Sequence, residues 1–579
     1  MMRILPLRTK PFALINLFLT GICMLAGVLP ISAQPDVVLD AMSAELARSF
    51  SKLQTASPNT YYLSYGVTEV QSHTIRASLG KLEANQSDSR RILDVDLRVG
   101  SYQFDNTHSI RGVAFEMGRG TRGVQLPFGT DQYAIQHVIW RATDRAYRSA
   151  AERYQKVLTN LQVKVRDEDT SADMSVEKPF TLKQEPPPFP FDQTQWEENV
   201  RAISAVFAES PLMFSGSASI VAKYIVKRFV TSEGTVVRTY EPIVQLMIQC
   251  GTKAADGMSI PLYRSFAAFT EDGLPTMNVL LHEARTIRDL ALQLRTAPLA
   301  ETYSGPAILS GRAAGVFFHE IFGHRVEGHR QKDVNSSQTF KTFLNKPILP
   351  DFISVIFDPH KRSLNGTDLV GAYDVDDEGV PAQTVTAVDK GVFKSFLMSR
   401  SPIENFDHSN GHGRRQAGAK AVSRQSNLIV SASRTIPVTQ LRDSLRAICR
   451  QEGKEYGLYF EDIEGGFTFT GRTVPNAFNV LPLVVYKVFA DGRPDELVRG
   501  VDLIGTPLVT FNNIVAAGND TGIFNGVCGA ESGGVPVSAS SPSLLVRSIE
   551  AQKKQKSQAK LPILSNPETR TTTSPEARP

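Results

Sequence analysis

Two histidines five positions apart, with a glutamate after the first, constrain this chain more than any other feature. They lie in Gly315-Val316-Phe317-Phe318-His319-Glu320-Ile321-Phe322-Gly323-His324-Arg325-Val326-Glu327-Gly328-His329. On an ideal helix, residues at i and i+5 point about 140° apart, against about 40° for i and i+4. A regular helix running through both cannot aim His319 and His324 at one ion. It has to widen by one residue, bend, or end between them, and Gly323 is where such an irregularity costs least. Two neutral imidazoles with a carboxylate beside the first are what hydrolytic zinc chemistry uses, the rings as ligands and the carboxylate as base. The plainer alternative is a helix that carries surface histidines.

Composition narrows the setting. The chain has 579 residues, 41% hydrophobic and 21% charged. That is enough apolar material for a sizeable core in two or more domains, and it excludes disorder or coiled coil as the dominant state. Lys+Arg 63 against Asp+Glu 59 leaves the chain close to neutral, so a nucleic-acid footprint is not expected. Cys23, Cys250, Cys449 and Cys528 form no close pair, which excludes a disulfide-dense scaffold and a CxxC-type zinc ribbon. The first ten residues are basic without an acid, and no charge follows from Pro11 to Pro35. This layout predicts a signal peptide over 1–33, cut after Ala33, and an exported protein, periplasmic or secreted. The alternative is an uncleaved N-terminal membrane anchor, since the run is long enough to span a bilayer. Once the leader is cut, three cysteines remain, and at least one of them has no intramolecular partner.

The pattern along the chain predicts an α+β protein. Residues 34–298 read as an N-terminal α+β domain: a helix from Val37 to Thr55, strands in YYLSYGVTEV and RRILDVDLRVGSY, and a long helix from Asp131 to Leu161. Tyr133, Ile135, Val138, Ile139, Ala142, Ala146 and Ala150 are the inward candidates of that long helix. A Pro-rich loop near 166–195, with Pro186-Pro187-Pro188, continues neither helix nor sheet and is either a lid or a linker. Strands return with a hairpin turn at Ser232-Glu233-Gly234-Thr235, followed by a helix from Met277 to Leu294 and a hinge at Thr296-Ala297-Pro298. Residues 299–550 form the second domain, opening with the short strand GPAILS and a helix near Gly311, then mostly strand and turn. Residues 551–579, basic and then Pro/Thr-rich, are expected to be a disordered tail.

The second domain resembles the TldD/PmbA metalloprotease family, in its TldD-like, metal-carrying branch. The likeness is carried by Tyr303-Ser304-Gly305-Pro306, the His319 to His324 segment with Glu327-Gly328, and Asp376-Asp377-Glu378-Gly379-Val380-Pro381. It continues through Gly411-His412-Gly413-Arg414-Arg415, Val501-Asp502-Leu503-Ile504-Gly505, Gly526-Val527-Cys528-Gly529 and Val535-Pro536-Val537. It is specific over about 301–550, and over the first domain it is only compatible. The resemblance implies that His319, His324 and Cys528 bind Zn2+ and that Glu320 is the general base. It further implies a zinc-dependent peptidase acting on unfolded or extended polypeptides, assembled as a homodimer or as a heterodimer with a paralogue. The alternative function is a weakly active or inactive peptide-binding subunit partnering a paralogue. No nucleic-acid partner is expected, and a membrane only if the leader stays uncleaved.

Several residues keep two readings. The family generally has an acid where His329 stands, so His329 either contributes to metal or substrate binding or does neither. Glu327 either orients His324 or is a solvated surface carboxylate. Asp376-Asp377-Glu378-Gly379 lacks the alternating spacing of a calcium loop and reads as a tight acidic turn. Cys250 and Cys449 either form a bridge or remain thiols. His282-Glu283 has no second histidine at ligand distance along its helix.

Overall fold

In a computed structural model, residues 36–110, 123–162, 169–332, 336, 338–468, 478–505 and 507–554 are described. The predicted leader, and the predicted tail beyond Lys554, lie outside them. Helix α1 (Val37–Leu53) leads into the 19-residue strands β1 (Thr60–Ser78) and β2 (Lys81–Val99), which pair antiparallel. Helices α2 (Gln132–Gln162) and α3 (Gln193–Ala205) precede β3 (Ser215–Thr231), β4 (Val236–Lys253) and β5 (Ser259–Ala268), and α4 (Met277–Thr296) follows. The strands form one sheet in the order β2-β1-β3-β4-β5, with Val124–Gln125 beside β2 and Thr181–Lys183 also paired to β4.

Strand alternation decides what each face of this sheet meets. Leu63, Tyr65 and Val67 of β1, with Leu93, Val95 and Leu97 of β2, pack under α1 and α2. Ile75 and Ala77, further along the same face of β1, pack under α3 and α4. The residues between them point the other way, and there Asp94 of β2 meets Arg415. The helices therefore cover one face, and the second half of the chain covers the other.

Two large sheets, beside two short two-stranded ribbons, build the described residues of that second half. The first runs β8 (Val385–Asp389), β7 (Ile353–Phe357), β9 (Asn427–Ala432), β14 (Gly533–Ser541), β13 (Gly522–Ala530), so that β13 is an edge strand. In the second, β10 (Tyr456–Thr468), β6 (Tyr303–Leu309), β15 (Leu544–Lys553), β12 (Val501–Gly505) and β11 (Phe478–Phe489) pair in turn, and β11 pairs back to β10. The pairings form a closed ring. Helix α5 (Gly311–Ile321) packs against both sheets, and nearly all of its residues are buried. A helix apolar all round has no other stable place. Its start is fixed by Ser310, which accepts from the Ala313 N–H at 3.2 Å and donates to the Glu461 carbonyl at 2.7 Å. Gly311 brings the helix against the β13–β14 hairpin: a Cβ there would lie 2.4 Å from the Gly522 nitrogen and 2.8 Å from the Ser541 carbonyl oxygen.

The α+β class, the helix opening at Gly311, the long helix and the Ser232 hairpin stand as the pattern predicts. Other expectations are corrected. Tyr133 is 76% exposed rather than inward, because it lies about 200° around α2 from the fully buried Ile135 and so faces away from the core. The second half contains helix α6 (Val438–Gln451), absent from the pattern reading, which buries Leu441, Leu445 and Cys449 at helical spacing. Residues 551–553 belong to β15 rather than to a tail, because they pair with β12. The described part of the Pro-rich segment is held to the sheet: the Tyr224 hydroxyl donates to the Pro187 carbonyl at 2.7 Å, and Phe189 stacks on Tyr224. Cys250 and Cys449 are free thiols in separate cores, so the bridge does not form.

Candidate metal centre

The helix that carries His319 ends before it reaches His324. After Ile321 the chain tightens into a 3-10 turn over Gly323–Arg325. The end is secured from below: the Arg325 guanidinium donates to the Ile321 carbonyl at 2.8 Å, satisfying one of the free carbonyls of the last turn. At Gly323 a Cβ would meet the Gln425 side-chain oxygen at 2.0 Å, while the Gln425 amide donates to the His319 carbonyl at 3.1 Å. A side chain here would have to displace the end of Gln425 and with it the bond to the His319 carbonyl.

This break turns the two imidazoles toward each other, with ring centroids 5.2 Å apart. Cys528, on the edge strand β13, joins them from far along the chain. Its Sγ lies 3.3 Å from His324 Nε2, and one ligand atom from each of His319, His324 and Cys528 falls within 4.8 Å of the others. All three residues are buried. The Nδ1 atom of His319 is buried without a hydrogen-bond partner, a cost that a hydrophobic interior does not tolerate idly. Two imidazoles and a thiol, converging and dry, can hold a metal ion.

Electrostatics favour the deprotonated sulfur. Burial pushes the Cys528 thiol up, but the adjoining imidazoles of His324 and His319 outweigh it and hold the group well below the usual thiol range. By contrast, burial raises the Cys250 and Cys449 thiols to about 12 and about 11. Only one of the three is poised as a ligand.

Glu327 is fully buried and is not a surface carboxylate. Its Oε2 lies 3.2 Å from His324 Nδ1 and accepts from Arg330 Nε at 2.9 Å. Burial pushes its carboxyl up, yet His324, Arg330 and Arg424 bring it down to about 2. The carboxylate holds the His324 ring with the other nitrogen facing Cys528. His329 stands outside the ligand trio: its Nε2 pairs with Glu531, which also accepts from Arg330 Nη2 at 2.9 Å. Glu531 lies in the turn of the β13–β14 hairpin, so His329 and Arg330 fasten that hairpin to the segment after α5.

Glu320 follows His319 on the last turn of α5 and is partly exposed, outside the trio. The tight acidic turn is present: Asp376 accepts from the Glu378, Val380 and Gly413 N–H groups. His282 lies on α4 beside Glu283, which pairs with Arg264. Gln425, Arg424 and Glu531 escape sequence reasoning. Ser423 to Asn427 is a polar run that looks solvated, yet every member is buried.

The fold is a known one. TldE from Thermococcus kodakarensis superposes with a TM-score of 0.57 at 12% identity, over 88% of this chain and 100% of that chain. A candidate DNA gyrase modulator from Thermotoga maritima does so with a TM-score of 0.58 at 14% identity, over 88% and 99%. The PmbA/TldA metallopeptidase C-terminal domain matches residues 302–553. Over residues 302–553 the chain belongs to the TldD/PmbA family.

Among its relatives, the Archaeoglobus fulgidus "Metalloprotease" is 30% identical over 240 residues, 42% of this chain and 51% of that protein. The "Zinc metalloprotease TldD homolog" of Saccharolobus solfataricus is 26% identical over 258 residues, 44% and 52%. The "Metalloprotease TldD homolog" of Haemophilus influenzae is 23% identical over 359 residues, 59% and 68%. The matched stretch thus spans about half the length of the first two.

Proposed function

We propose that this chain is a zinc-dependent peptidase of the metal-carrying branch, hydrolysing unfolded or extended polypeptides, with Glu320 as general base. The observation that carries the reading is the convergence of His319, His324 and Cys528, with ligand atoms within 4.8 Å. His319, His324 and Cys528 would hold the ion as a set of three protein ligands, the number used by catalytic rather than structural zinc. A zinc ion held there supplies Lewis acidity toward a peptide carbonyl and acidifies a water. Glu320, one residue beyond His319 and partly open to solvent, would act as the general base, accepting a proton from water on its carboxylate and passing it to the departing amine. Glu327 keeps the His324 ring oriented throughout. The Cys528 thiolate donates more charge than a third imidazole would, which suits slow turnover.

Family membership and relatives named as metalloproteases support the activity. The partner is a second copy or a paralogue. The leader directs export to the periplasm or beyond, or else anchors the chain at its front; among the described residues no helix is long and apolar enough to cross a membrane.

The test is zinc content of the purified protein together with hydrolysis of an unfolded protein substrate. Glu320→Ala should retain the metal and lose about 100- to 10,000-fold in turnover. Equal activity in both forms removes Glu320 from the mechanism. A metal-loaded wild type without activity, alone and with a paralogue, favours the peptide-binding subunit instead.

A further inference from the structure

The three ligands come from two places: His319 and His324 from the break after α5, and Cys528 from a hairpin 204 residues beyond His324. Something must hold these two places in register to a fraction of an ångström if they are to share one ion. Arg424 touches both. Its side chain is fully buried, and so is that of Glu327, whose Oε1 lies 3.5 Å from Arg424 Nε. That carboxylate is the group that holds His324 through Nδ1. On the other side, Arg424 Nη2 donates to the carbonyl of Cys528 itself at 2.7 Å. Its Nη1 donates to the Ser532 hydroxyl at 2.6 Å and to the Gly533 carbonyl at 2.9 Å, across the turn of the same hairpin.

We propose that Arg424 is a positioning residue for the metal ligands, a single buried guanidinium that sets the distance between the His324 ring and the Cys528 sulfur. A planar five-donor fork can reach a carboxylate on one edge and backbone carbonyls on another, which an ammonium cannot do. Its charge also offsets Glu327 and the thiolate in a space from which water is excluded. Packing alone would not place two of its contacts on a ligand residue and on the orienting partner of another. This inference rests on the metal-binding reading above.

The test uses Co2+ as the probe, because cobalt bound to a thiolate gives a charge-transfer absorption that reports the metal–sulfur bond itself. Wild-type protein should bind one equivalent and show that band. Arg424→Gln should bind cobalt 10- to 100-fold more weakly in chelator competition, with less thiolate absorption per bound ion. Arg424→Lys, which restores charge without the fork, should recover only part of the affinity. In a cycle with Glu327→Gln, the two losses should be less than multiplicative, because both variants disturb one connection. Where Arg424→Gln does not yield folded protein, Ser532→Ala removes only the hydroxyl that the guanidinium grips, and it must lower affinity in the same direction. Wild-type affinity and absorption in Arg424→Gln, or in Ser532→Ala where that stands in, overturn the positioning role and leave the metal reading intact. A wild type that takes up no cobalt overturns the metal reading and this inference with it.

Discussion

At Gly323 one missing side chain makes room for Gln425, whose amide holds the His319 carbonyl. Gly323→Ala should displace that amide and cost about 1–3 kcal/mol by overpacking. Gly323→Ala with Gln425→Ala should recover part of the loss in denaturant unfolding, and an additive result would count against the steric account. His412 carries a different prediction. Burial, helped by the neighbouring Arg414 and His360, drives its pKa from 6.5 down to about 3, although a backbone contact with Asn410 works the other way. The unfolded chain therefore binds a proton between pH 6.5 and 3 that the native chain refuses, and stability falls as pH falls through that window, by up to about 1.4 kcal/mol per unit. Wild type should lose stability faster than His412→Gln as the pH drops from 6.5 to 4.5; parallel curves would remove His412 from the pH dependence. The histidine spacing was readable because helix geometry forbids both rings on one face. The choice between an oriented and a solvated Glu327 was not, because burial of a carboxylate is decided by partners such as Arg330 and Arg424 that lie outside its own turn.

Among the elements, those with a strong period were legible and those whose role is set by distant neighbours were not. β1, β2 and the Ser232 hairpin follow from alternation and turn chemistry. Helix α6 carries Leu441, Leu445 and Cys449 four apart and could have been found by the same arithmetic applied after the metal helix. That β13 lies at a sheet edge with Cys528 against α5 is a matter of sheet order, which local pattern does not encode. Placement also separates the thiols. Cys250 on β4 and Cys449 on α6 are buried with raised pKa values, whereas the imidazoles of His324 and His319 hold the Cys528 thiol, near a hairpin turn, well below the usual range. After chelation, neutral iodoacetamide should label Cys528 first, as read by peptide mass spectrometry, and prior metal should protect it. Earlier labelling of Cys250 or Cys449 would contradict this ordering.

For the whole molecule, ion pairs join the first sheet to the second half beside apolar contacts such as those of Ile243 and Ala267 with Val370. Arg400 donates to both oxygens of Glu233 at 2.6 and 2.7 Å with its own side chain almost fully buried, Arg415 pairs with Asp94, and Lys227 reaches Asp377 at 2.9 Å. Removing one member of such a pair strands the other, so Glu233→Gln should destabilise by about 3–5 kcal/mol. The loss should appear in one cooperative transition, and two separated transitions in the wild type would show that the halves unfold independently. These pairs join residues more than a hundred positions apart, and for that reason the sequence shows the charges without showing which of them meet.

The separation of 204 positions from His324 to Cys528 also sets a schedule. During synthesis at about 5–20 residues per second, the sulfur arrives about 10–40 s after the second ring. Until then the nascent polypeptide offers a cation only two nitrogens. For the peptidase proposed above, the three-ligand set therefore exists only after the hairpin carrying Cys528 has been made, and the segments before it cannot hold the ion in that way while they are being synthesised.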